Sequence, residues 1–147
     1  MATIEYFYAA HSIFAYLGSA KIQALAKAAG RRLIHKPFNY QPVIETSGAG
    51  STRNRSTAHR AYYFGREIER WAEWRDVPVM KGFPTHHWAD MTLASSILIA
   101  TAEGGMDVNC LSHGFLQGHW CDDADLSNVN TLTQMISAAS LDPQSLL

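Results

Sequence analysis

The sequence predicts an α/β chain that opens with a strand–helix–strand unit and continues as a mostly helical region. Three observations carry this. Thr3 to Tyr8 is dense in β-branched and aromatic residues, which suit a pleated, half-buried surface. From Phe14 the apolar residues change to helical spacing through Leu17, Ala20 and Ala24, and the run ends at Gly30, a helix-stop residue. Arg32 to Phe38 then reads as a strand again. A strand–helix–strand of this length requires parallel strands joined by a right-handed crossover.

Composition sets the outer bounds. A chain of 147 residues can bury a real core, and 47% hydrophobic with 17% charged residues is the balance of a soluble globular protein. A net charge of -1 gives no electrostatic case for nucleic acid or an anionic membrane. Strand-like sequence follows Met1 directly, with no basic leader region. The longest apolar run, Leu93 to Ala102, is interrupted by Ser95, Ser96 and Thr101 and is too short to span a bilayer. These features lead us to expect a cytoplasmic enzyme or binding protein.

After the second strand, the segment from Asn39 to Arg55 contains Pro42, Gly48 and Gly50 and reads as a loop with a short helical turn near Val43–Thr46. A strong helix is expected from about Ser56 to Arg75. Ala61, Phe64, Ile68 and Trp71 form its apolar stripe, Ala72 widens it, and the charges face solvent. Val77 and Pro78 end it. Asp90 can cap a helix, nearly apolar all round, through Met91, Ile97, Leu98 and Ala102 to Gly104. Further helices are expected over Asp107–Trp120 and Leu126–Ala139. Cys110 and Cys121 would then sit roughly 16 Å apart on one helix at ~1.5 Å per residue, beyond disulfide reach. His113 and His119 lie between them, but His119 points elsewhere on the helix, so no zinc site is expected. At the end, Asp142 and Pro143 form a helix-start signal with only one turn of chain behind it. A sheet of two parallel strands is also small. Together these predict that the last strands of the fold are absent from this chain.

The candidate for chemistry is Ser12. It stands where the first strand passes into the first helix, and its hydroxyl can accept an otherwise orphan backbone N–H. A polar side chain at a helix N-terminus favours negative charge. From position alone, Ser12 is either an anion-facing group or only a cap.

The strand running into Phe7, Ser12, Phe14, Tyr16 and Leu17 resembles the 2-hydroxychromene-2-carboxylate isomerases. These group with the kappa-class glutathione transferases and DsbA-like proteins in the thioredoxin-fold superfamily. Asn54 and Arg55, followed by Tyr63, Glu67, Ile68, Arg70, Trp71, Ala72, Val77 and Pro78, form a second matching segment. A third comprises Phe83, Pro84, Trp120 and Ser140 to Asp142. Three departures stand out. Ile13 replaces the usual proline after the serine, and His11 replaces an apolar or small residue before it. Family members also continue into a Val-Pro loop with a cis proline, two strands and a last helix.

The resemblance implies a thioredoxin-like half over residues 1–45 and a helical DsbA- or kappa-like domain over 46–147. It implies glutathione as cofactor, with Ser12 catalytic and Ser12, Asn54 and Arg55 binding glutathione. No metal is implied. Because Ser12 and Ala15 fill the slots where thioredoxin-type oxidoreductases carry two cysteines, a dithiol mechanism is excluded at this junction. What remains is a hydroxyl that stabilises a bound thiolate. The implied reaction interconverts 2-hydroxychromene-2-carboxylate and trans-o-hydroxybenzylidenepyruvate, in naphthalene-type catabolism, on a small aromatic carboxylate substrate. Arg53, Arg55 and Lys81 are candidates for the substrate carboxylate. A homodimer is expected, and weak glutathione binding by this chain alone. A kappa-like glutathione transferase and a truncated, non-catalytic member are the alternatives.

Overall fold

The computed structural model describes residues 2–48 and 55–147. The strand β1 (Thr3–Tyr8) leads through a turn into α1 (Ile13–Ala28), and β2 (Arg32–Pro37) returns to pair with β1 in parallel, Thr3 opposite Arg32 and Tyr8 opposite Pro37. Gly30 takes a positive φ of 59° at the end of α1, a conformation glycine adopts without strain. Among the described residues the sheet has these two strands in the order β1–β2. Alternation along β1 sends Tyr6 and Tyr8 to one face, where their rings stack at 4.6 Å, and leaves Phe7 61% exposed on the other.

The short helix α2 (Tyr40–Thr46) is capped by Asn39. The long helix expected from Ser56 is present but is not uniform. Ser56 caps α3 (Thr57–Arg60), a π-helical turn spans Ala61–Arg66, and α4 (Glu67–Arg75) completes the run. The π turn coincides with the aromatic run Tyr62 to Phe64, whose rings pack on different neighbours: Tyr63 on Phe14 at 5.3 Å and Phe64 on Phe83 at 5.7 Å. The stripe inferred for this helix is also narrower than expected. Ile68 is buried, but Trp71 is 42% exposed, with the Arg75 guanidinium over its ring at 5.5 Å.

Beyond the loop, α5 (Thr92–Glu103) starts two residues after Asp90. The Asp90 carboxylate accepts hydrogen bonds from the Thr92 backbone and hydroxyl, at 2.9 and 2.6 Å. The helix buries Ala94, Ile97, Leu98 and Thr101 but leaves Ile99 42% exposed, so it is not enclosed all round. The helix α6 (Val108–Cys121) is capped by Asp107. The helix α7 (Val129–Ala138) starts later than expected, because Asn128 takes the cap while Leu126 is buried ahead of it. A 3₁₀ turn, Pro143–Ser145, follows the Asp142 cap.

One apolar core joins these parts. It runs from Tyr8, Ile13 and Leu17 through Leu98, Phe115 and Trp120 to Leu132 and Ile136. One hydrogen-bonded chain of polar side chains crosses it. The Asn109 carboxamide oxygen accepts from His35 Nε2 at 3.0 Å, which leaves His35 Nδ1 to accept the Tyr8 hydroxyl at 3.0 Å. This chain ties both strands to α6. No helix among the described residues is long and apolar enough to cross a membrane.

Candidate functional site

The junction between β1 and α1 is built by backbone bonds before any side chain acts. The Ser12 N–H donates to the Ala9 carbonyl at 3.0 Å, turning the chain, and Ser12 has extended backbone angles, φ −71° and ψ 124°. Its hydroxyl oxygen accepts the Ala15 N–H at 3.3 Å. Ser12 therefore caps α1 as the sequence implied, and the cap uses only the acceptor side of the hydroxyl. The hydroxyl hydrogen has no acceptor among the described residues. Ser12 is half-buried at the positive end of a 16-residue helix that has no acidic residue in its first turn. A donor and a helix terminus thus converge on one half-open position.

A relay of ring contacts links Arg55 to Phe14 in the first turn of α1. The Arg55 guanidinium lies 5.6 Å from the centre of the Tyr63 ring and its Nη1 3.1 Å from His59 Nε2, and Tyr63 packs on Phe14, two residues after Ser12. Asn54 and Arg53 lie outside the described residues. Lys81 does not join Ser12. It lines a separate groove of about 1410 Å³ between the helical run 57–75 and the segment 76–83, whose walls include neither Ser12 nor Arg55.

The junction is held from behind by a cluster of histidines that sequence reasoning missed. The Ala124 carbonyl accepts from His119 Nδ1 at 3.0 Å, so His119 Nε2 carries no proton and accepts from His87 Nδ1 at 3.1 Å. The His87 ring meets the His11 ring edge-on at 4.9 Å, and His11 also packs on Tyr40 at 5.4 Å. All three histidines are buried, and His11 Nδ1 has no hydrogen-bond partner. Burial penalises their charged forms. It lowers His11 to about 4 and His87 to about 3, aided by repulsion from neighbouring histidines, and it also lowers His119. The three are neutral at physiological pH. The only sequence signal was His11 itself, standing where an apolar or small residue is usual. His87 and His119 come from a loop and a distant helix, which periodicity cannot join.

Trp120 closes this support. It is fully buried, its indole Nε1–H donates to the His11 carbonyl at 2.9 Å, and its own carbonyl accepts the Met80 N–H at 2.8 Å. Tyr16 adds a second tie: its hydroxyl donates to the Pro78 carbonyl at 3.0 Å and touches Cys121 Sγ at 3.1 Å. Burial and this sulfur contact raise the Tyr16 phenol above its ordinary value. Cys110 and Cys121 are free thiols, and among the described residues no group of three His, Cys, Asp or Glu side chains has metal-holding geometry.

Three comparisons bear on this architecture. No curated protein matches the chain by sequence. A solved structure of 2-hydroxychromene-2-carboxylate isomerase superposes with a TM-score of 0.77 at 15% identity, covering 97% of this chain and 68% of that one. At that identity the likeness is one of fold. The family model for the DSBA-like thioredoxin domain matches residues 3–147. The parallel βαβ start, the capped helix N-terminus at its junction and the helices that follow all fall within that match: the chain belongs to the DSBA-like thioredoxin domain family.

Proposed function

We propose that this chain is a cytoplasmic glutathione-dependent isomerase of the 2-hydroxychromene-2-carboxylate type, with Ser12 as its catalytic residue. The observation that carries the reading is the Ser12 hydroxyl. It accepts its cap bond from Ala15 and keeps its own proton to donate, at the N-terminus of α1. A thiolate is the ligand such a group suits, because both the hydrogen bond and the helix terminus favour the ionised sulfur. Ser12 and Ala15 supply no sulfur of their own, so the thiol comes from glutathione. When bound, glutathione supplies a nucleophile able to add reversibly to a conjugated carbon–carbon double bond.

The chain's own residues then have separable tasks. Ser12 donates to the sulfur and orients it. Arg55, whose guanidinium lies over the Tyr63 ring face, supplies positive charge for a carboxylate of glutathione or substrate, and Asn54 is its proposed neighbour in binding. Trp120 and the neutral histidines fix the backbone that places Ser12. A kappa-type transferase would use the same thiolate with a different acceptor.

The experiment is calorimetric titration of glutathione together with isomerase turnover for the parent chain and Ser12→Ala. Loss of a cap costs about 1 kcal/mol of stability. The variant should therefore stay folded while turnover falls by about tenfold or more, as expected for removal of a donor to developing or resident negative charge. Unchanged specific activity in folded Ser12→Ala would reduce Ser12 to a cap.

A further inference from the structure

The helical run 57–75 has two unlike sides. One lines the groove, through Phe64, Ile68, Glu69 and Ala72 among others. Tyr62, Arg66, Arg70, Trp71, Trp74 and Arg75 are absent from the groove's walls. At about 100° per residue, Arg70, Trp71, Trp74 and Arg75 share the other side of α4. Trp74 is 81% exposed, Tyr62 57% and Trp71 42%. A shallow cleft of about 460 Å³ opens between Trp71 and Trp74, with Arg70 and Glu73 at its edges.

The π turn brings Tyr62 onto this side. The Glu67 N–H donates to the Tyr62 carbonyl, five residues back. The inserted residue therefore places Tyr62 one turn before Glu67, in line with the two tryptophans. Charge is segregated in the same way, which the chain total of -1 conceals. The charged residues on this side are Arg66, Arg70 and Arg75 against Glu67. Glu67 is engaged by Arg70, and Arg66 and Arg75 form no ion pair among the described residues. The Arg75 guanidinium lies over the Trp71 ring at 5.5 Å, so a cation and an indole are presented together. Glu69 and Glu73 belong to the groove wall.

We infer that this side of the run docks on an anionic lipid surface, with the helix lying parallel to the membrane plane. Tryptophan and tyrosine rings suit the headgroup level, because each joins an apolar body to a polar tip. Arginine suits lipid phosphate, which its planar fork holds with two N–H groups. From Tyr62 to Arg75 the contact surface is a ridge about 20 Å long at ~1.5 Å per residue. A single-stranded nucleic acid would need a basic groove to track its backbone. The groove beside this ridge carries Glu69, Glu73 and Asp76 instead. No helix among the described residues is long and apolar enough to cross a bilayer, so the contact is confined to the interfacial layer.

Vesicle co-sedimentation tests this. The parent chain should pellet with vesicles rich in phosphatidylserine and stay in solution with vesicles of phosphatidylcholine alone. Molar salt should release it, because screening then acts within ~3 Å. Arg66→Gln/Arg75→Gln should lower partition onto the anionic vesicles by about twenty-five-fold, roughly fivefold for each arginine. Trp74→Ala changes an exposed side chain. It should keep the parent's far-ultraviolet dichroism and lose most of the blue shift in tryptophan emission that the parent shows on these vesicles. Trp88→Ala alters a ring in the groove wall and should bind as the parent does. A parent chain that stays in solution with the anionic vesicles would overturn the inference. So would full binding by both Arg66→Gln/Arg75→Gln and Trp74→Ala, or binding that depends on Trp88 instead. Tighter binding of oligothymidylate than of the vesicles would also overturn it, in favour of a nucleic-acid surface.

Discussion

Acidification from neutrality to about pH 5 should remove a large part of the folding free energy, well before the carboxylates titrate. His11 and His87 are held neutral in the folded state, with pKa values of about 4 and about 3 against an ordinary 6.5. Their unfolded forms bind a proton near 6.5 and their folded forms do not. The stability each contributes is therefore complete above that value. It is lost as pH falls through the window from about 6.5 down to the folded pKa. By pH ~5 each histidine accounts for about 2 kcal/mol, a figure set by the unfolded pKa as long as the folded value lies well below 5. Against total stabilities of about 5–15 kcal/mol, two such groups matter. His119 adds in the same direction, because its Nε2 must stay bare to accept from His87. The titratable neighbours on this side are Asp123, Asp125 and His86. The Asp125 carboxylate lies 3.6 Å from His86 Nδ1, and both aspartates are held below the ordinary carboxylate range, mainly by hydrogen bonds from Thr85 and Ser127. They soften the loss at His119 without facing His11. Urea unfolding across this pH range measures the effect. His11→Asn should flatten the pH slope, whereas a parent chain equally stable at pH 7 and pH 5 would mean that the cluster is not buried and neutral.

Replacement of Trp120 by alanine is the single substitution expected to cost most. The side chain is fully buried and packs on His87 at 5.1 Å, His119 at 5.8 Å and Phe83 at 5.9 Å. Truncating a buried tryptophan costs about 3–5 kcal/mol. Leaving the His11 carbonyl without its indole donor adds about 1–3 kcal/mol. We expect Trp120→Ala to be largely unfolded under native conditions. Trp120→Phe separates the two contributions: it keeps most of the packing and loses the hydrogen bond. It should remain folded with a lower urea midpoint, and glutathione affinity should fall more than the stability change alone would cause, because the freed carbonyl belongs to the residue before Ser12. A phenylalanine variant as stable as the parent would show that the indole bond does not brace the junction.

The parts legible in the sequence are those governed by local pattern. The strand from Thr3 to Tyr8 and the Ser12 cap announce themselves by composition and position, and the structure places both where they were read. The helix through Ile68 was also legible, but its π turn was not, because a 3.6-residue period is blind to an inserted residue in the hydrogen-bond ladder. Trp71 sits at the right spacing for the core. Trp71 is instead left to solvent with Arg75, one turn on in the same helix, over its ring, a pairing that hydrophobic spacing does not encode. The histidine cluster depends on His11, His87 and His119 arriving from three separate segments. No local rule connects them. Asn54, read as part of the site, lies outside the described residues, and Arg55 reaches the start of α1 only through the Tyr63 and Phe14 rings.

The pKa of the glutathione thiol in the presence of the protein is the most direct test of the Ser12 assignment. It can be read from ultraviolet thiolate absorbance as pH is raised, for the parent chain and for Ser12→Ala. With the Ser12 hydroxyl donating to the sulfur at the N-terminus of α1, the thiol should ionise toward neutrality, well below the ordinary value near ~8.5. In Ser12→Ala the midpoint should return most of the way to that value while the far-ultraviolet dichroism stays unchanged. A bound thiol that ionises at its ordinary pKa in the parent chain, or one whose depressed pKa survives Ser12→Ala, would contradict the assignment.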